Sequence, residues 1–195
     1  VYLLNDMLDL ESDRQHVSKH RRPFASGELS LRVGFVAAPL LLFASLVIAT
    51  ALPSVFVFTL AAYWTTTLLY SLYIKAYFLI DALVLAGLFT LRIVAGSAAI
   101  GVTTTDWLLA FSLFLFFGLA LVKRHAELMN LESAGKLTSA GRGYHVSHLA
   151  LIRRLGLAAN LAAIGVFAFY ALAPSTTQLY SQPLILLGVC PPMIY

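Results

Sequence analysis

Near its start the chain reads "NDMLDLESD", and four of the protein's nine acidic side chains fall within its first thirteen residues. In a helix Asn5, Asp9 and Asp13 stand four residues apart. Each step then turns about 40° around the axis and rises about 6 Å, which lays the three along one stripe with Asp6 beside it. Oxygen donors without His or Cys suit Mg²⁺, an ion that takes one or two carboxylates and fills its remaining positions with water and substrate phosphates. Asn5, Asp6, Asp9 and Asp13 therefore read as ligands of a magnesium-held diphosphate. The bases that follow, Arg14, Lys19, Arg21 and Arg22, allow a second account of the same acids, as a crowded helix end neutralised by ion pairs.

A second set of charged groups lies downstream. "KRHAEL" brings Lys123, Arg124 and Glu127 together, and "GRGYH" supplies Arg142 and Tyr144. Cationic hydrogen-bond donors of this kind are what an anionic phosphate needs, although Lys123 and Glu127, spaced i, i+4, also form a plain helix ion pair. Lys75 ends an apolar run just after Tyr70 and Tyr73, the pattern of a snorkelling lysine beside an aromatic belt. Arg92 lies within an apolar run, where a charge is costly and faces a cavity or a partner, so it ranks above Asp81 as a functional group. Asp81 and Arg92 share a helix face but stand roughly 16 Å apart along it.

The elements that must position these groups are transmembrane helices. The chain is 60% hydrophobic and only 11% charged, with a mean hydropathy of +0.86, whereas about a quarter of a globular protein is charged. Apolar runs at 33–52, 55–74, 79–100, 107–122 and 155–173 are each near the roughly 20 residues that cross a hydrocarbon core as helix. An all-α, multi-span transmembrane helical bundle is predicted. A sixth run at 183–195 is cut by the end of the chain, and residues 1–4 read as the tail of a helix, so the chain reads as a fragment. No secretory signal pattern is present. Cys190 is the only cysteine, which excludes a disulfide within the chain and a cysteine-based metal site.

Basic residues assign the sides. If the loop 14–32 is cytoplasmic, twelve of the thirteen bases lie on that face, Arg92 being the exception, and the opposite turns at Pro53, 101–106 and 174–182 hold no Lys or Arg. Eight of the nine acids share the basic face. A multi-pass protein of the cytoplasmic membrane is expected, its site facing the cytoplasm and its net charge of +4 concentrated where anionic headgroups or an anionic substrate would meet it. Membrane lipids are expected partners; nucleic acid is not. The polar stretch 123–148 is expected as a cytoplasmic loop.

"NDMLDLESD" resembles the NDxxDxxxD signature of the UbiA superfamily of intramembrane prenyltransferases. "KHRRPFASGELS", "YSLYIK" and "LRIVAG" resemble further stretches of that family, so the likeness covers nearly the whole chain. It implies one UbiA-like domain over 1–195, a nine-helix bundle that here lacks its first and last helices, with a lipid-open cavity for a polyprenyl phosphate or diphosphate and Mg²⁺ at its mouth. It also implies Asp9, Asp13 and Lys75 as catalytic groups, and Asn5, Arg22, Tyr70 and Arg92 as substrate contacts. One departure is informative: where most members carry a second aspartate-rich motif, this chain reads "KRHAELMNLE".

That basic motif, with "GRGYHVSHLALIRRLG" after it, resembles the subgroup that includes decaprenyl-phosphate phosphoribosyltransferase. In that subgroup an Asp is expected where His148 stands. The resemblance implies a Mg²⁺-dependent transfer of phosphoribose from phosphoribosyl pyrophosphate to a polyprenyl phosphate, with Lys123, Arg124 and Arg142 on the sugar phosphate, Glu127 catalytic, and Tyr144 orienting the ribose. The alternative is a prenyltransferase that joins a polyprenyl group to an aromatic co-substrate. The D-G-x-x-A-R signature of CDP-alcohol phosphotransferases is not found. From another class comes a membrane transporter whose pathway Asp81 and Arg92 would line.

Overall fold

A computed structural model describes residues 2–15, 19–138 and 142–173, and these fall into two compact units that divide between Ser71 and Leu72. The run 183–195, the turn 174–182 and Cys190 lie outside the described residues.

In the first unit, helices α1 (Tyr2–Leu8) and α2 (Leu10–Gln15) meet at Asp9, and a 3₁₀ turn at Lys19–Arg21 leads into the short α3 (Pro23–Ser26). Proline suits the first turn of α3 because its fixed φ is already helical and its missing N–H has no helical partner there. Gly27, at φ 85°, ends it in a left-handed conformation that L side chains resist. Two 19-residue helices follow, α4 (Leu31–Ala49) and α5 (Ser54–Leu72). The Met7 and Phe24 side chains occupy the place a Cβ on Gly34 would take, so glycine at that position lets α1 and α3 pack directly on the backbone of α4.

The second unit contains α6 (Ile80–Ala99), α7 (Asp106–Ser133) and α8 (Leu149–Leu172), with α7 packed against both others. Ala82, Leu121, Leu128, Tyr144 and Ile152 form its buried core, with Phe78, Leu79, Phe117 and Leu131 packed around them. Thr105 caps α7 by accepting the Leu108 N–H at 3.3 Å.

Five of the helices are long and apolar enough to span a bilayer, and many of their large side chains, among them Phe35, Phe43 and Phe58, are exposed. Helices are the form in which a chain can bury its backbone polar groups in lipid, because each satisfies its own hydrogen bonds. The protein is an all-α integral membrane protein, as its composition predicts.

Two boundaries differ from the sequence expectation. The stretch from 123, expected as loop, continues α7 to Ser133: "KRHAELMNLES" consists mostly of good helix formers, and no breaker occurs before Gly135. Helix α8 likewise starts at Leu149 rather than 155, because hydropathy ignores the charged turn containing Arg153 and Arg154. Between α7 and α8 the chain folds back on itself through an antiparallel bridge from Thr138 to His145. The Val146 N–H donates to the Leu137 carbonyl at 3.0 Å beside that bridge.

Candidate active site

Among the described residues each unit carries a charged cluster. In the first, the break at Asp9 leaves the i, i+4 backbone bonds intact: Asp9 N–H donates to Asn5 O at 2.9 Å and Asp13 N–H to Asp9 O at 2.8 Å. The side chains then form two pairs rather than the single stripe expected. Asn5 Nδ2 donates to Asp9 Oδ2 at 3.2 Å. Arg22 Nη1 bridges Asp6 Oδ1 at 2.9 Å and Asp13 Oδ2 at 2.8 Å. Asp6 and Asp13 are seven residues apart, about 10 Å along the axis of an ideal helix, so the shared nitrogen draws two turns of carboxylate to one point. Asp13 is 2% exposed, Arg22 about a third.

The ion-pair account of these acids is therefore realised by Arg22, and it bears directly on magnesium. Among the described residues no three His, Cys, Asp or Glu side chains are grouped as a metal cage. Mg²⁺ does not need one, since it relies on one or two carboxylates and takes the rest of its shell from water and phosphate. A cationic nitrogen stands between the Asp6 and Asp13 carboxylates here, and Asn5, Asp6, Asp9 and Asp13 carry side-chain oxygens, the ligand type that ion takes.

The second cluster centres on Asp81, in the first turn of α6 and 0% exposed. Arg124 Nε donates to its Oδ2 at 2.8 Å and Arg142 Nη1 to the same oxygen at 3.2 Å. The Tyr144 hydroxyl donates to Oδ1. Arg124 continues to Glu127 Oε2 at 2.7 Å, and Arg142 Nε lies 3.9 Å from Glu127 Oε1. Glu127 thus pairs with the two arginines rather than with Lys123, the i, i+4 neighbour expected; Lys123 is exposed on α7.

Local sequence explains how a loop reaches this carboxylate. A Cβ on Gly143 would sit 2.6 Å from the Ala76 carbonyl oxygen and 3.1 Å from Phe78 N. Only glycine lets the loop backbone lie against the 3₁₀ turn Ile74–Ala76, which sets Arg142 and Tyr144 on either side of that contact. Leu79, the residue before α6, has φ 61°, a conformation a branched apolar residue adopts only when its surroundings impose it. Its N–H donates to the Tyr144 hydroxyl at 3.2 Å, and Arg124 lies over the Tyr144 ring at 5.9 Å.

Tyr144 is 2% exposed, and its hydroxyl donates to Asp81 and accepts the Leu79 N–H, which ties the loop to the start of α6. Burial, then the hydrogen bond to Asp81, push its ionisation well above the ordinary tyrosine range. His148, where an Asp was expected, accepts the His145 N–H at 3.2 Å and packs on Phe78 with ring centroids 4.3 Å apart. Tyr70 is half-buried on α5, and Lys75 is half-buried in the Ile74–Ala76 turn. Arg92 is exposed on α6 with its guanidinium 5.0 Å from the Phe89 ring centre.

The structure places Asp81, ranked below Arg92 from sequence, at the centre of this cluster. Its signal was present: an acid opening an apolar span must be paired or solvated, and the basic pair Lys123 and Arg124 closes the next long span.

A model described as the UbiA prenyltransferase family matches residues 1–195. An uncharacterized protein y4nM of Sinorhizobium fredii is 40% identical over 94% of this chain and 36% of its own length. Nodulation protein NoeC of Azorhizobium caulinodans is 32% identical over 91% and 58%. A decaprenyl-phosphate phosphoribosyltransferase of Mycolicibacterium smegmatis is 32% identical over 87% and 54%. The chain thus spans between 36% and 58% of the length of these curated relatives. Among solved structures, that of a UbiA homolog from Archaeoglobus fulgidus bound to GPP and Mg²⁺ shares the fold. Its TM-score is 0.75 at 16% identity, over 99% of this chain and 68% of that one.

Proposed function

Since the chain belongs to the UbiA prenyltransferase family, we propose that it is a membrane transferase moving 5-phosphoribose from phosphoribosyl pyrophosphate to a polyprenyl phosphate. The observation that carries this reading is the second cluster. Two guanidiniums, Arg124 and Arg142, are gathered on one buried carboxylate, where the resemblance to ordinary family members calls for a further set of metal-binding aspartates. A donor with a second phosphate on its sugar needs such planar, cationic donors. The name of the Mycolicibacterium smegmatis relative supports the same chemistry.

In this reaction an oxygen of the polyprenyl phosphate bonds to the anomeric carbon as the carbon–oxygen bond to diphosphate breaks. Asn5, Asp6, Asp9 and Asp13 would hold Mg²⁺, and the ion would supply Lewis-acid compensation for the charge on the leaving diphosphate. Arg22 balances Asp6 and Asp13 in the absence of that ion. Lys75 contacts the diphosphate, with Tyr70 and Arg92 as further substrate contacts. Arg124 and Arg142, with Lys123 at the exposed rim, take the sugar phosphate, and Glu127 sets their charge. The first unit also encloses an apolar cavity of about 490 Å³ between α1, α4 and α5, lined by Leu3, Leu42, Leu60, Tyr63, Trp64 and Leu68. It suits part of an isoprenoid chain. The site is assigned to the cytoplasmic face, where twelve of thirteen bases cluster.

A second reading, prenyl transfer to an aromatic acceptor, is favoured by the GPP and Mg²⁺ bound to the Archaeoglobus homolog and uses the same cavity. The test supplies the full-length protein with labelled phosphoribosyl pyrophosphate and polyprenyl phosphate, and separately with prenyl diphosphate and 4-hydroxybenzoate. Lipid-linked phosphoribose is expected from the first mixture. Product from the second alone would replace this proposal with the other.

A further inference from the structure

We infer that the two carboxylates of the second cluster have opposite duties: Asp81 is a fixed positioning residue that holds Arg124 and Arg142 as a pair, and Glu127 is an exchangeable counter-ion that an incoming phosphate replaces. The inference deepens the phosphate-binding part of the function proposed above and rests on it.

Burial and bonding separate the two acids. Asp81 is 0% exposed and accepts from three groups on two segments: Arg124 of α7, and Arg142 and Tyr144 of the loop. A carboxylate so enclosed keeps its partners, because removing one donor from a buried ion pair is strongly destabilising. Its setting is fixed from several sides, by the Gly143 contact with Ala76, by the strained Leu79 and by the Tyr144 ring beneath Arg124. Glu127 is 35% exposed, and its bonds go to the same two arginines, at 2.7 Å and 3.9 Å. An oxyanion with geometry close to a phosphate edge therefore already bridges the pair.

Charge completes the argument. Two guanidiniums face two carboxylates, so the cluster carries no surplus positive charge for a dianionic phosphate while Glu127 stays in place. Since Asp81 is enclosed, Glu127 is the group that can leave, and as water reaches it the departure costs little solvation. A phosphate monoester then takes over the Arg124 and Arg142 donors while Asp81 keeps them aligned.

The experiment measures binding of inorganic phosphate and of ribose 5-phosphate to the purified full-length protein by calorimetry, with thermal unfolding in the same detergent as the control for folding. Asp81→Asn is expected to weaken both ligands about ten- to hundredfold, the loss expected when charged hydrogen bonds disappear, and Asp81→Glu to recover part of that affinity. Glu127→Gln is expected to tighten both several-fold and to leave the melting temperature nearly unchanged. A purely structural Asp81 would lower thermal stability without these opposite shifts in affinity. Equal phosphate affinity in wild type and Asp81→Asn, or weaker binding by Glu127→Gln, would overturn the inference. If Asp81→Asn does not fold, the sign of the Glu127→Gln shift still decides. Opposite shifts without turnover of phosphoribosyl pyrophosphate would sink the proposed reaction and leave this inference standing.

Discussion

Arg22 binds two carboxylates with a single nitrogen, so these acids already share one cationic group. Asp9 accepts the Asn5 amide, and as one of the four residues proposed to hold Mg²⁺ it serves as a probe of metal binding. Asp9→Asn is expected to lower magnesium-dependent turnover about a hundredfold, the upper end of what disturbed metal sites lose, with little change in melting temperature. Titrating Mg²⁺ against activity distinguishes a weakened site from a misfolded one. Tyr144 yields a pH prediction. In the unfolded chain its phenol ionises near pH 10, whereas in the fold burial and Asp81 hold it protonated to higher pH. Below about pH 10 both states keep the proton and pH has no leverage through this group. Above it the unfolded state gives up its proton first, so stability falls as pH rises until the folded phenol also ionises. Tyr144→Phe is expected to lose that alkaline slope and to cost about 1–3 kcal/mol at neutral pH, because Asp81 loses a donor. Denaturation curves of both proteins from pH 8 to pH 11 check the sign.

At the scale of elements, the loop between α7 and α8 positions Arg142 and Tyr144 through one glycine. Gly143→Ala is expected to push the loop off the Ala76 carbonyl and to expose it to protease, while changing no charge; limited proteolysis with and without phosphate would show it, and cleavage unchanged from wild type would count against this role. Much of this level was legible beforehand. Apolar runs located all five spans because hydropathy reports what lipid will accept, and "NDMLDLESD" identified the acidic cluster because helical spacing is local. What could not be read was long-range: Asp81 meets Arg124 through the packing of α6 on α7, and meets Arg142 through a loop fold-back written in Gly143 and the Thr138 to His145 bridge. The helical end of α7 was missed for a related reason. Charge marks where a span leaves the bilayer but says nothing of where its helix stops, so Lys123 to Ser133 looked like loop.

For the molecule as a whole, membership of the UbiA prenyltransferase family, the fold shared with the Archaeoglobus homolog and the five spanning helices agree on an intramembrane protein with charged clusters beside its apolar spans. Helix α7 has a consequence for how such a protein answers to its membrane. Its 28 residues rise about 42 Å, against a hydrocarbon core of about 30 Å. Arg124 and Glu127 are therefore carried on the same unbroken helix as the exposed apolar side chains Phe114 and Leu119. A rod tilts when its bilayer thins or thickens, and its protruding end swings like the tip of a lever. Turnover in nanodiscs of graded acyl length is expected to pass through a maximum, and a flat response would mean that the arginine end of α7 is mechanically isolated from the lipid around it.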